Sequence, residues 1–238
     1  LLLRSVRARG IREVRGDLVL DRSYFVSYET DQGRIDNEPT QPYNTLPDAL
    51  LVNHKAVRIS LVPELDARRV RISAEPPLPE VQIVNNVTLD NAPCTDWRAR
   101  IRQNVASEGA IARFTFAGQL SAQCQEEARY YSVLSPQVFT AGLFRMLWGE
   151  LGGRLHGTVG EGIVPPGATL VARQESPALS ELVRDINKYS NNVMAQQLFL
   201  TLGLQVRGSG SLAASREVMR GWWQERFGGG GAAKRRVG

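Results

Sequence analysis

The chain has 238 residues, 42% hydrophobic and 22% charged, with a net charge of +5 and a pI near 9.6. That length can bury about 70% of its unfolded surface, in one large domain or two to three small ones. The composition excludes a disordered or fibrous chain, and no apolar run reaches the roughly 18 residues that a membrane-spanning helix needs.

The positive charge raises a nucleic-acid partner, but the arginines are scattered, singly or in pairs such as Arg68-Arg69 and Arg98 with Arg100. No aromatic stripe interleaves them, and the only dense cluster is Lys234-Arg235-Arg236, so no nucleic acid is expected. Two cysteines, Cys94 and Cys124, cannot fill a four-ligand zinc site by themselves. They form either a disulfide or two buried thiols. His54 and His156 sit in no metal or triad pattern and read as structural.

Residues 1–10 read as a helix end stopped by Gly10. Leu1-Leu2-Leu3-Arg4 is too short for a signal-peptide core and reads as the middle of a helix, as though the chain began inside a larger protein. Ile11–Val14 and Asp17–Leu20 are short strands parted by Gly16. Residues 26–48, with Gly33, Pro39, Pro42 and Pro47, form a long loop ordered by Tyr24, Tyr28 and Tyr43. Ala49–Val52 and Ala56–Val62 are strand-like. In the second, Val57, Ile59 and Leu61 alternate with Arg58 and Ser60, the period of a half-buried strand. Val70–Ala74 repeats the pattern, and Pro76-Pro77-Leu78-Pro79 breaks it rigidly.

Val81–Leu89, Ile101–Val105, Ile111–Phe116 and Gly118–Ser121 are further short strands, which suggest a small β-rich domain over 78–129. Pro136–Leu151 is a helix with Val138, Phe139, Leu143, Leu147 and Leu151 on one face, stopped by Gly152-Gly153. Gly157–Leu170 is rich in glycine and proline, with β character.

Two helices follow. Ser176-Pro177 reads as an N-cap with proline at the first helical position. Leu179, Leu182, Val183 and Ile186 recur at helical spacing, and so do Val193, Met194, Leu198, Phe199 and Leu202. Gly203 reads as the stop of the second helix. The break between them falls at Asn187–Asn192, with Ser190 and Asn192 at its centre. By residue type alone, both would be capping groups. Ala213–Phe227 is a third helix, in which Trp222 and Trp223 are assigned to packing rather than to a sugar platform. Gly228–Gly231 has linker composition and precedes the basic tail.

Ser190-Asn191-Asn192, after Asp185-Ile186-Asn187-Lys188, resembles the Ser-x-Asn motif of the penicillin-recognising serine hydrolases. The longer stretch Ser176–Gly203 is similar to one branch, the class C, penicillin-binding protein 4 type D-alanyl-D-alanine carboxypeptidase/endopeptidases of low molecular mass. Similarity extends through Arg9–Asp21 and Pro42–Asn53 and covers about 1–227.

The resemblance implies an α+β fold: part of a penicillin-binding-protein/β-lactamase-like transpeptidase domain with inserted β-rich accessory domains. Residues 1–77 with 130–175 would be an accessory α+β domain, 78–129 a small inserted domain, and 176–238 a partial catalytic domain. It also implies a periplasmic bacterial protein, which favours a disulfide between Cys94 and Cys124. It implies no metal or organic cofactor.

In the family, the serine of a Ser-x-x-Lys motif attacks the penultimate D-Ala carbonyl of a peptidoglycan stem peptide, and penicillin traps the same serine. Ser190 would relay a proton, and Asn192 would hydrogen-bond the substrate amide. The partners implied are peptides ending in D-Ala-D-Ala and, for the intact enzyme, β-lactams. None of the fifteen serines has lysine three positions later, and none of Lys55, Lys188 and Lys234 is followed by Thr-Gly. The expectation is therefore a fragment that lacks two of the three motifs and is inactive alone. Lys188 reads as a surface charge and Asp185 as a brace of the helix junction. A different class of function, a non-catalytic peptidoglycan-binding or interaction module, would need these chain ends to be natural.

Overall fold

The computed structural model describes residues 1–228 apart from 29, 31 and 33–35. The Gly-run beyond Gly228 and the basic tail lie outside the described residues. Helix and strand both contribute heavily, and the fold is α+β as expected.

An N-terminal scaffold comes first. Helix α1 (Leu2–Ala8) leads into strands β1 (Glu13–Val14) and β2 (Leu18–Leu20). These pair in parallel with β9 (Arg154–Leu155) and β10 (Val159–Glu161), so the chain after the long helix α3 (Pro136–Glu150) returns to the N-terminal segment. Asp17 secures that return by accepting from the Thr158 backbone N–H at 2.7 Å and its hydroxyl at 2.9 Å. These bonds favour the carboxylate and hold its pKa below the usual range. Helix α3 starts where the Ser135 hydroxyl accepts from the Val138 N–H at 3.2 Å, with proline at the first helical position. Its Trp148 is 1% exposed and donates to the Arg154 carbonyl at 3.1 Å.

Two three-stranded sheets share one core. The first has the order β4-β3-β8, all antiparallel, with β3 (Val57–Glu64), β4 (Arg69–Glu75) and β8 (Glu127–Tyr131). The second has the order β5-β7-β6. In it β5 (Val81–Asp90) runs parallel to β7 (Ile111–Ser121), and β6 (Ile101–Glu108) runs antiparallel to β7. The expected alternation in β3 holds only in part: Val57, Ile59 and Leu61 are buried and pack with Val70, Phe114, Phe116 and Leu120, but Ser60, expected on the outer face, is buried as well. Tyr131 joins them edge-on to Phe114, with centroids 5.1 Å apart.

Strand β7 runs unbroken through Gly118, where the sequence suggested a gap. The backbone there has φ +128°, and a Cβ would collide with the Arg100 carbonyl in the one-turn helix α2 (Trp97–Arg100). Only glycine admits both. Cys94 and Cys124 form a disulfide with Cα atoms 5.0 Å apart, tying the segment before α2 to the connection between β7 and β8.

The third part is helical. Residues 162–178 carry no regular element. Helices α4 (Leu179–Tyr189), α5 (Asn192–Arg207) and α6 (Leu212–Phe227) follow. Four local expectations are corrected here. Helix α4 starts at Leu179 without a side-chain cap, so Ser176 and Pro177 precede it. Ala49–Val52 forms no strand, because Asp48 turns the chain: its carboxylate accepts from the Leu50 N–H and its carbonyl from the Leu51 N–H. Gly203 lies inside α5, which runs on to Arg207 and stops at the left-handed Gly208. Trp222 and Trp223 are 46% and 60% exposed and pack on each other and on Phe227, away from the core.

Candidate active site

The junction between α4 and α5 is where sequence reasoning placed the site, and the break is there. Helix α4 ends at Tyr189, and Ser190 adopts the left-handed conformation with φ 49° and ψ 44°. Asn191 follows in an extended conformation as the N-cap of α5, its side-chain oxygen accepting from the Met194 N–H at 3.0 Å. Asn192 is the first residue of α5.

The capping work therefore falls to Asn191, the middle residue of the motif. Ser190 and Asn192 are both exposed, and neither side chain has a hydrogen-bond partner among the described residues. Both side chains thus stand exposed at one helix junction. The left-handed cap position is normally glycine, and an L-residue there costs about 1–2 kcal/mol. Lys188 is exposed, with Nζ 5.2 Å from the Tyr189 ring centroid, in keeping with a surface charge. Asp185 does not brace the junction: its one partner among the described residues is its neighbour Arg184 at 3.3 Å.

Buried apolar groups and a polar network hold α5 in place. Val193 and Leu200 are each 1% exposed. Gln197 Nε2 donates to the Asp48 carbonyl at 2.8 Å, and the Tyr28 hydroxyl donates to Gln196 at 3.3 Å. Asp48 is itself gripped by Arg22, which bonds both of its carboxylate oxygens and also reaches Glu161 at the end of β10. These carboxylates raise the Arg22 pKa further. The motif end of α5 is thus tied through Asp48 to the N-terminal scaffold. The sequence contained this network only as isolated charges, and Asp48 was marked only by lying in the family-like stretch Pro42–Asn53, with no sign of its partners.

Helix α4 is less secured. None of its residues is buried, and Leu179 and Val183 of its apolar stripe are exposed. An apolar hollow of about 670 Å³ lies between α1, α3 and residues 164–172, lined by Leu3, Val6, Leu18, Phe144 and Leu170 among others.

Comparison with known proteins gives a consistent assignment. Residues 1–225 match the D-Ala-D-Ala carboxypeptidase 3 (S13) family, and the chain belongs to that family. Among curated proteins it is 26% identical over 206 residues to D-alanyl-D-alanine carboxypeptidase DacB of Haemophilus influenzae, covering 83% of this chain and 40% of that protein. It is 29% identical over 216 residues to a D-alanyl-D-alanine carboxypeptidase of an Actinomadura species, covering 87% and 39%. Its fold matches the crystal structure of penicillin binding protein 4 (dacB) from Haemophilus influenzae with TM-score 0.74, at 22% identity, over 95% of this chain and 49% of that one. The same protein complexed with a novel β-lactam matches with TM-score 0.65, at 20% identity, over 94% and 46%. The chain therefore spans about 40% of the length of its curated relatives.

Proposed function

We propose that this chain supplies the Ser-x-Asn portion of a serine-type D-alanyl-D-alanine carboxypeptidase/endopeptidase acting on peptidoglycan stem peptides in the periplasm. The observation that carries it is the state of Ser190. A non-glycine residue stands in a strained cap position with a free hydroxyl, while Asn191 does the structural work. Other non-glycine residues also have positive φ, among them Asn53, His54 and Lys55, but at Ser190 this backbone coincides with an exposed hydroxyl inside the Ser-x-Asn motif, which supports a use for that side chain.

In this reading the nucleophile comes from a Ser-x-x-Lys motif outside the 238 residues, and a Lys-Thr-Gly strand, also outside them, holds the substrate carboxylate. Ser190 passes a proton between the lysine and the leaving amine, which a neutral hydroxyl can do because it both donates and accepts. Asn192 offers an N–H and a C=O to the substrate amide and orients the scissile bond. Residues 1–77 with 130–175, and 78–129, act as accessory parts that carry and brace this junction, and 176–238 form part of the catalytic domain. A β-lactam would enter the same site, as a strained mimic of the D-Ala-D-Ala amide.

The test is labelling with a fluorescent penicillin read by intact mass. The 238-residue chain is expected to melt cooperatively and take no adduct. In a longer form of the protein that carries all three motifs, acylation is expected, and Ser190→Ala or Asn192→Ala should slow it at least tenfold. An adduct on the 238-residue chain, or unchanged acylation in both variants, would overturn the assignment.

A further inference from the structure

Strand β8 lies at an edge of its sheet, with β3 on one side only. Four of its consecutive residues, Ala128 to Tyr131, line a groove of about 420 Å³ together with Glu38, Gln41, Arg98 and Gln103. An open edge presents unpaired N–H and C=O groups, a ready template for another strand.

A charged side chain on an edge often guards against such pairing. The Arg129 guanidinium, however, is already held by other residues of the groove. It donates to Gln103 and to the Arg98 carbonyl at 2.9 Å, and it stacks over Trp97, 5.0 Å from the ring centroid. Arg98 stacks on the same indole at 4.8 Å. Trp97, only 7% exposed, thereby fixes two cations at the groove. Among the described residues, neither arginine has a carboxylate within 4.0 Å, and Glu38 is the only acidic residue in the lining. Residues 38–41 bound the groove, and Thr40 already accepts from the Ser132 N–H at 2.7 Å, just beyond the strand. A second backbone segment, here a turn, can therefore reach the end of this edge within hydrogen-bonding distance.

We propose that this groove is a peptide-binding site, separate from the Ser190 junction, that adds a short extended acidic peptide to the edge of β8. Four strand residues extend about 10 Å at roughly 3.3 Å per residue, enough to pair about three residues of ligand. The backbone supplies affinity, and Arg98 and Arg129 select a carboxylate. The proposal does not depend on the catalytic reading, since it involves neither D-Ala nor an acyl transfer.

The test uses the 238-residue chain and N-acetyl-Ala-Glu-Ala-amide, followed by calorimetric titration and by amide shifts of β8 in nitrogen-15 spectra. Saturable binding is expected, with shifts centred on Ala128 to Tyr131. Replacing the peptide's glutamate by glutamine, or the protein's Arg98→Gln, should weaken it about fivefold. Methylating the central peptide nitrogen should weaken it more than tenfold. The first and third comparisons leave the protein unaltered, so they stand even if the variant folds poorly. Absence of saturable binding, or equal binding of the N-methylated peptide, would overturn edge pairing. Equal binding of the glutamine peptide would overturn the role of the arginines.

Discussion

At the scale of the residue, the Ser190-Asn191-Asn192 triplet divides its labour unevenly. Asn191 caps α5, and its loss should cost about 1 kcal/mol, as removal of an N-cap generally does. Ser190 works in the opposite direction. Its left-handed backbone is unfavourable for an L-residue by about 1–2 kcal/mol, while glycine in its place would lose about 0.4–1 kcal/mol through a freer unfolded chain. Ser190→Gly should therefore raise the stability of the chain, by roughly 0.5–1 kcal/mol, while Asn191→Ala lowers it. Urea denaturation of both variants checks this, and a loss in the glycine variant would mean that Ser190 is not strained in solution. The motif was legible as a motif. Which of its residues caps the helix was not, because all three side chains can accept a backbone N–H and only the backbone path between α4 and α5 selects one.

At the scale of the element, α5 and α6 approach so closely that Gly203 has no room for a side chain. A Cβ there would stand 2.8 Å from the Ser215 nitrogen and 2.9 Å from the Ser209 carbonyl oxygen, and backbone atoms cannot swing aside. Helix propensity alone favours Gly203→Ala by about 1 kcal/mol, but overpacking costs about 1–3 kcal/mol. The expected result is a net loss of up to about 2 kcal/mol, measured as a lower denaturation midpoint. A stabilised variant would show that the helices separate easily. The sequence could show that Gly203 follows an apolar stripe, which is how a helix end also looks. Helix α5 instead continues for a further turn, because the glycine faces another helix. Strand β8 has the same character. Glu127–Tyr131 has little alternation of its own and becomes a strand by pairing with β3, fifty and more positions away in the chain.

At the scale of the whole molecule, the turn at residues 53–55 contributes to the response to acid near neutrality. Asn53, His54 and Lys55 all have positive φ, and the Lys55 ammonium is buried, donating to the Leu134 carbonyl at 3.0 Å. Burial lowers the Lys55 pKa and also holds the His54 imidazole below its ordinary 6.5. Between the lowered value and 6.5, the unfolded chain binds more protons at His54 than the folded one. Stability is thus unaffected by this group above the unfolded pKa and falls as pH drops through the window. Asparagine tolerates the left-handed turn and does not titrate. On going from about pH 7 to about pH 5, the wild-type melting temperature should therefore fall further than that of His54→Asn. Parallel profiles would show that His54 reaches water freely in the folded state.

By itself the sequence determined the mixed class of the fold, most strand and helix positions, and the helix break that carries Ser190 and Asn192. The element positions and the break rest on periodicity or turn chemistry within a few residues, which a linear reading can see, and the α+β class on the resemblance to a known family. Only the tertiary structure decided what depends on segments far apart in the chain. Arg22, Asp48, Glu161 and Gln197 come together to seat α5. Trp222 and Trp223 turn outward instead of into a core, Gly203 becomes a contact instead of a stop, and Arg129 of β8 meets Arg98 on one tryptophan. In each case the side chain's own preference was satisfied by more than one arrangement, and packing against a distant partner removed all but one.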